Sequence, residues 1–94
     1  MFRNPRYLTK GIEVAVPIVV QQLLWQCIDA MPEPKDYLQV FELGAINGMQ
    51  RICHKSEQPP YRMEYLLPTP KPITAKIYVI DDNTHSTMLL AEEY

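Results

Sequence analysis

The stretch "IDDNTHSTM" (80–88) brings Asp81, Asp82 and His85 within five residues. Two carboxylates and an imidazole are the groups that hold a divalent metal or move a proton in hydrolysis. A metal site needs three or four converging ligands, each oriented by a further contact. This loop supplies at most three, in no recognised metal-binding spacing. A calcium-binding EF-hand loop is longer and carries a central glycine and a closing glutamate, both missing here. Asp, Asn, Thr and Ser are also the residues that build turns, because their short side chains bond nearby backbone groups. The expectation is a hairpin turn. Asp81, Asp82 and His85 stand as the alternative site of a small metal-binding or hydrolytic protein, with His54 as a further candidate.

The remaining reactive groups form no catalytic pattern. Cys53 and His54 are adjacent, so on a strand they point to opposite faces and cannot share an ion. Cys53 is expected to be half-buried and His54 exposed. Cys27 lies on a helical apolar stripe, as an inert buried thiol does. An activated nucleophile needs a base held against it, and no Gly-x-Ser-x-Gly elbow occurs. Ser86 beside His85 is a coincidence of composition. With three glycines, Gly11, Gly44 and Gly48, neither a P-loop nor a dinucleotide fingerprint can be built. No catalytic residue, cofactor or bound metal is assigned.

The elements that would position these groups follow from proline punctuation and periodicity. The chain has 94 residues, 47% of them hydrophobic, and a formal net charge of −2. That describes a single compact domain, 1–94, with one modest core. "MPEPKD" (31–36), "EQPPY" (57–61) and "LPTPKPI" (67–73) interrupt regular structure, since proline fixes φ and lacks an N–H. In "PIVVQQLLWQCIDAM" (17–31), Val20, Leu23, Leu24, Cys27, Ile28 and Met31 fall at helical spacing. Pro17 suits a helix start and Pro32 marks its end. "YLQVFEL" (37–43) is apolar on both faces, as an inner strand is. "MQRICH" (49–54) returns from it through "GAING". "YRMEYLL" (61–67) and "AKIYVI" (75–80) alternate, "TMLLA" (87–91) follows, and a short early strand falls within Tyr7 to Ile12. The fold class is α+β: one amphipathic helix packed on a mainly antiparallel sheet of four to six strands.

No apolar run is long enough to span a membrane, and no apolar stretch follows the basic residues of "MFRNPRYLTKG" as in a signal peptide. The two cysteines form no disulfide framework or metal motif. These features point to a soluble protein of a reducing cytoplasm. Trp25 falls off the main helical stripe, and Ile18 shares its face seven residues earlier. Either another segment of the chain covers this pair, such as 67–73 or the N-terminal arm, or a partner does; Trp is enriched at the energetic centres of interfaces. Basic residues gather early in the chain and acidic ones late, including Glu92 and Glu93; the expectation is an ordinary solvated surface, with a dipolar molecule that pairs with itself or a charged partner as the alternative. Nucleic acid is not the expected partner: the sequence pI is about 5.6, against above about 9 for a typical binding domain. A stacking platform for single strands would need Tyr61 and Tyr65 on one face with Arg51, Lys55 and Arg62. The alternation instead sends the tyrosines toward the core.

"RYLTKGI", "QQLLWQCID", "DYLQVFEL" and "IDDNTHSTMLLAEEY" together resemble a family of short bacterial proteins of unknown function, the domain catalogued as number nine-sixty. The resemblance covers nearly the whole chain. It implies one compact cytosolic bacterial domain and transfers no activity and no site. The expected function is protein interaction, with another protein or with itself, through Ile18 and Trp25, with Glu92 and Glu93 as secondary contacts.

Overall fold

A computed structural model describes all 94 residues. The chain runs β1 (Arg6–Leu8), α1 (Lys10–Ala15), α2 (Ile18–Ala30), β2 (Leu38–Ile46), β3 (Met49–Glu57), β4 (Pro60–Pro68), β5 (Ala75–Asp81), β6 (Ser86–Leu90) and a closing 3-10 turn, Ala91–Glu93. One six-stranded sheet has the order β1-β6-β5-β2-β3-β4. Every pairing is antiparallel except β1 with β6. This is the α+β class, with one long helix on a largely antiparallel sheet.

Local chemistry explains the element ends. Thr9 caps α1, its Oγ1 accepting the Ile12 N–H, and so satisfies one of the free donors of a first turn. Periodicity did not reveal α1, which is one short turn and a half. Val16 is extended at φ −116° because Pro17 follows and excludes helical geometry before it. Met31 before Pro32 ends α2 for the same reason. Asn47 and Gly48 join β2 to β3 with φ of 49° and 73°. These left-handed values make the two-residue turn whose twist matches the strands it connects.

α2 buries Val20, Gln21, Leu24, Cys27 and Ile28, and Leu23 packs beside them half-buried. They meet Phe41 and Leu43 of β2, Ile52 of β3, Ile77 and Val79 of β5 and Met88 of β6. Register makes that face continuous: Phe41 pairs with His54 on one side and Ile77 on the other, and Val79 pairs with Met88. Phe2, Ile12 and Val16 complete the cluster. The opposite sheet face carries charges, including Glu42 3.2 Å from Lys55 and Glu64 paired with Arg51. Cys53 lies between Glu42 and Glu64 in register. It is buried beneath that ionic layer rather than half-buried as expected.

Leu24 is fully enclosed, so Leu24→Ala leaves a cavity and removes transferred apolar surface. Urea denaturation of that variant is expected to show a loss of about 3 kcal/mol, a large share of a small domain's stability. A loss under about 1 kcal/mol would mean that α2 is not docked as described.

Candidate functional site

Asp81, Asp82 and His85 do occupy the β5–β6 hairpin loop, but they do not converge. Asp81 turns inward and is 5% exposed. Its Oδ2 accepts the Phe2 N–H at 2.6 Å, and its Oδ1 accepts from Asn4 Nδ2 at 3.0 Å and the Asn83 N–H at 2.7 Å. Burial pushes this carboxyl up. The bonds from Phe2, Asn83 and Asn4 more than offset that and hold it below the usual carboxylate range. Asp82 points outward and organises the turn: its Oδ1 accepts the N–H groups of Thr84 and His85 at 3.0 and 2.9 Å. The His85 and Thr84 donors lower its pKa. His85 Nε2 lies 3.2 Å from Asp82 Oδ2, and the ring meets the edge of Tyr7. Asp81 is therefore a latch for the N-terminal arm, and Asp82 with His85 is a turn. No three of the chain's His, Cys, Asp and Glu side chains gather where one ion could reach them.

His54 departs from the sequence expectation. It is fully buried, stacked on Phe41 at 4.3 Å between ring centroids, with Tyr61 edge-on at 5.1 Å. The helix-facing side of β3 is the core side, so the even-numbered residue goes in. Its Nε2 lies 2.7 Å from Gln39 Oε1, which assigns the ring proton to that nitrogen. Gln39 Nε2 in turn donates to the Asp36 carbonyl at 2.8 Å. The Asp36 carboxylate accepts the backbone N–H groups of Leu38, Glu57 and Gln58. His54 Nδ1 and Ser56 Oγ are buried without a partner. Ser56 also lines a cleft of about 460 Å³ with Lys35, Asp36 and Tyr37. Lys35 is spoken for by Glu33 at 3.3 Å.

Trp25 is half-buried against the core. The N-terminal arm covers it: the Arg6 guanidinium sits 4.7 Å from the ring centroid. Arg6 also donates to the Phe2 carbonyl and to both oxygens of Asp29. Ile18, by contrast, is 67% exposed, next to Val14 at 76% and Val19 at 63%. These side chains stand at the α1–α2 corner, where Leu8, Val16, Pro17 and Ile73 line an apolar cleft of about 570 Å³. Val14 and Val19 were missed because exposure at a helix corner is set by tertiary packing. Glu93 is bound within the chain. It accepts from Thr9 Oγ1 at 2.6 Å, the Leu90 N–H at 2.8 Å and the Gly11 N–H at 3.3 Å. A Cβ on residue 11 would come within 2.6 Å of that carboxylate. Glu92 is exposed.

The tyrosines and basic residues part company. Tyr61 and Tyr65 share the helix-facing side of β4, whereas Arg51, Lys55 and Arg62 lie on the other face, as alternation requires. Burial pushes the Tyr65 hydroxyl above its ordinary pKa, and neighbouring Cys27 and Tyr61 add to the shift.

A small α+β domain with a buried polar core and an exposed apolar corner is thus the class of protein defined. The chain belongs to the family DUF960, described as a staphylococcal protein of unknown function, whose model matches residues 5–93. Its fold is similar to that of a protein of unknown function from Enterococcus faecalis, known from a crystal structure. The TM-score is 0.84 at 24% identity, covering 97% of this chain and 91% of that one. No curated protein matches. No helix is long and apolar enough to cross a membrane.

Burial holds His54 neutral and lowers its pKa from 6.5 to about 4. Between those values the unfolded chain binds a proton that the folded chain does not, so acidification destabilises the fold. Denaturant titrations are expected to show about 2 kcal/mol less stability at about pH 4.5 than at about pH 7 from this group. His54→Gln, which keeps a donor toward Gln39, is expected to flatten that slope. An unchanged slope would place the acid sensitivity elsewhere.

Proposed function

We propose that this chain is a protein-interaction module of the cytoplasm, with a contact surface at the α1–α2 corner centred on Ile18. One observation carries the reading: Val14, Ile18 and Val19 are three large apolar side chains, each more than 60% exposed, and Val14 and Ile18 border a mainly apolar cleft. Contiguous exposed apolar surface marks interaction sites, whereas isolated apolar residues do not. Along α2 the same side continues toward Trp25, but there the Arg6 guanidinium lies over the ring, so the proposed surface stops short of it. Glu92 is the acidic residue available as a rim contact, because Glu93 is occupied within the chain. Both cysteines are free thiols, which suits a reducing compartment.

Ile18→Asp tests this without threatening the fold, since an acidic residue is favourable in a first helical turn. Thermal unfolding is expected to stay within about 2 °C of wild type, because exposed substitutions change stability little. Quantitative affinity capture from the native host is expected to lose its main partner about tenfold or more, the signature of a central contact. Gln22→Asp, also exposed on α2, is expected to retain it. Equal recovery by Ile18→Asp and wild type would end the proposal.

A further inference from the structure

Both edges of the sheet are unpaired, but they differ. β1 offers three residues and β4 offers nine. An unpaired edge presents backbone N–H and C=O groups that another strand can satisfy. Pro60 and Pro68 bound the β4 run and lack N–H groups of their own. Between them, Arg62, Glu64 and Leu66 lie on the open face, and Tyr61, Met63 and Tyr65 lie on the helix-facing side. Met63 is 45% exposed and Leu66 58%. Arg62 and Glu64 are 58% and 48% exposed at the side chain and sit 3.8 Å apart at their nearest atoms; Glu64 also accepts from Arg51 Nε at 2.9 Å through Oε1, which leaves its Oε2 for a cation across the edge.

We infer that β4 pairs antiparallel with β4 of a second copy of this chain, about a two-fold axis at Met63, joining two sheets into one of twelve strands. Residues opposite one another across such an axis must share a face, so the axis has to fall on a residue. With the axis at Met63, Arg62 stands opposite Glu64 of the second copy, and Glu64 opposite its Arg62. Leu66 then meets Pro60, Tyr61 meets Tyr65, and Met63 meets itself. Every opposed pair is matched in chemistry. One step either way puts Arg62 opposite Arg62 or Glu64 opposite Glu64, and like charges directly opposed are destabilising. Charges on an edge strand ordinarily repel a second strand; here they admit one register and reject its neighbours. The contact is small, in the class below about 1,200 Å², so the dimer is weak and concentration-dependent. It uses a surface separate from the Ile18 corner and does not rest on that reading.

Sedimentation from micromolar to millimolar protein is expected to show a reversible monomer–dimer equilibrium. Arg62→Glu and Glu64→Arg alone each place two like pairs across the axis and are expected to weaken the dimer about tenfold or more. The double swap reverses both pairs and is expected to restore it, while Ile18→Asp leaves it unchanged. Cross-linking gives a second readout that does not depend on those variants folding well. Opposed residues lie about 4.5–5.5 Å apart at Cα, within disulfide reach, so Met63→Cys is expected to form a covalent dimer under oxidised glutathione. Leu66→Cys would sit about 20 Å from its counterpart and is expected to stay monomeric. The native Cys27 and Cys53 are buried and do not compete. A strict monomer throughout, a dimer indifferent to the single charge changes, a swap that fails to restore it, or equal cross-linking at 63 and 66 would each overturn the inference.

Discussion

Everything in this fold depends on one roof being narrower than the floor it covers. Six strands span about 24 Å across, whereas a helix is about 10 Å wide. α2 therefore seals only part of the sheet with its stripe from Val20 to Ile28. Other segments must close the rest. Phe2, Ile12 and Val16 enter the cluster from the N-terminal arm and α1. At the far side the cover over β4 is incomplete: Tyr65 packs against the core cluster, Tyr61 is half-buried, and Met63 is 45% exposed. The exposed corner and the exposed edge have the same origin: apolar supply exceeds the area that a short chain can roof.

The segments that complete the roof are irregular, and each is fastened by a buried polar side chain. Asp81 holds the arm through Phe2 and Asn4. Phe2 sits there at φ 64°, a left-handed conformation that costs a bulky residue about 1–2 kcal/mol. The carboxylate bond and a fully buried ring offset that cost. Gln50 does the same for the stretch between β4 and β5. Its Nε2 donates to the Ile73 carbonyl at 3.0 Å, and its Oε1 accepts the Ile73 N–H at 2.8 Å. Gln21 fastens the α1–α2 corner through the Val16 carbonyl. Gln39 joins the Asp36 turn to His54. Such groups are costly when unpaired and specific when paired. They make register and crossing points definite where apolar contact alone would allow slippage.

This division of labour explains what could be read from the residues. α2 was legible because six apolar positions keep one period and prolines stand at both ends. β4 and β5 were legible because alternation with charge survives wherever one face meets water. β3 was harder. Its polar residues Gln50, His54 and Ser56 fall on the buried face, so a polarity count assigns them outward. The Asp81 loop was legible as a turn from its Asp, Asn and Thr content. Its grip on Phe2, 79 positions away, leaves no local trace. The covering of Trp25 by Arg6 is equally non-local, since it needs the parallel docking of β1 beside β6, which no periodicity encodes.

The same logic distinguishes the buried polar chain from the open surface. The buried polar chain from His54 to Asp36 ends on backbone amides, so its hydrogen bonds are spent on holding the β2 entry against the β3 exit. Its two free atoms are His54 Nδ1, beside the rings of Phe41 and Tyr61, and Ser56 Oγ, at a cleft that Lys35, Asp36 and Glu57 also line. What the core leaves unspent is apolar area at the α1–α2 corner and backbone bonding capacity along β4. The corner joins exposed apolar side chains to a cleft that Glu13 and Lys71 also line. The edge has alternating charge that, in the proposed pairing, sets Arg62 against Glu64 and disfavours the two adjacent registers. On the proposed reading the edge serves a second copy and the corner a different protein, so a charge change on β4 leaves the corner intact.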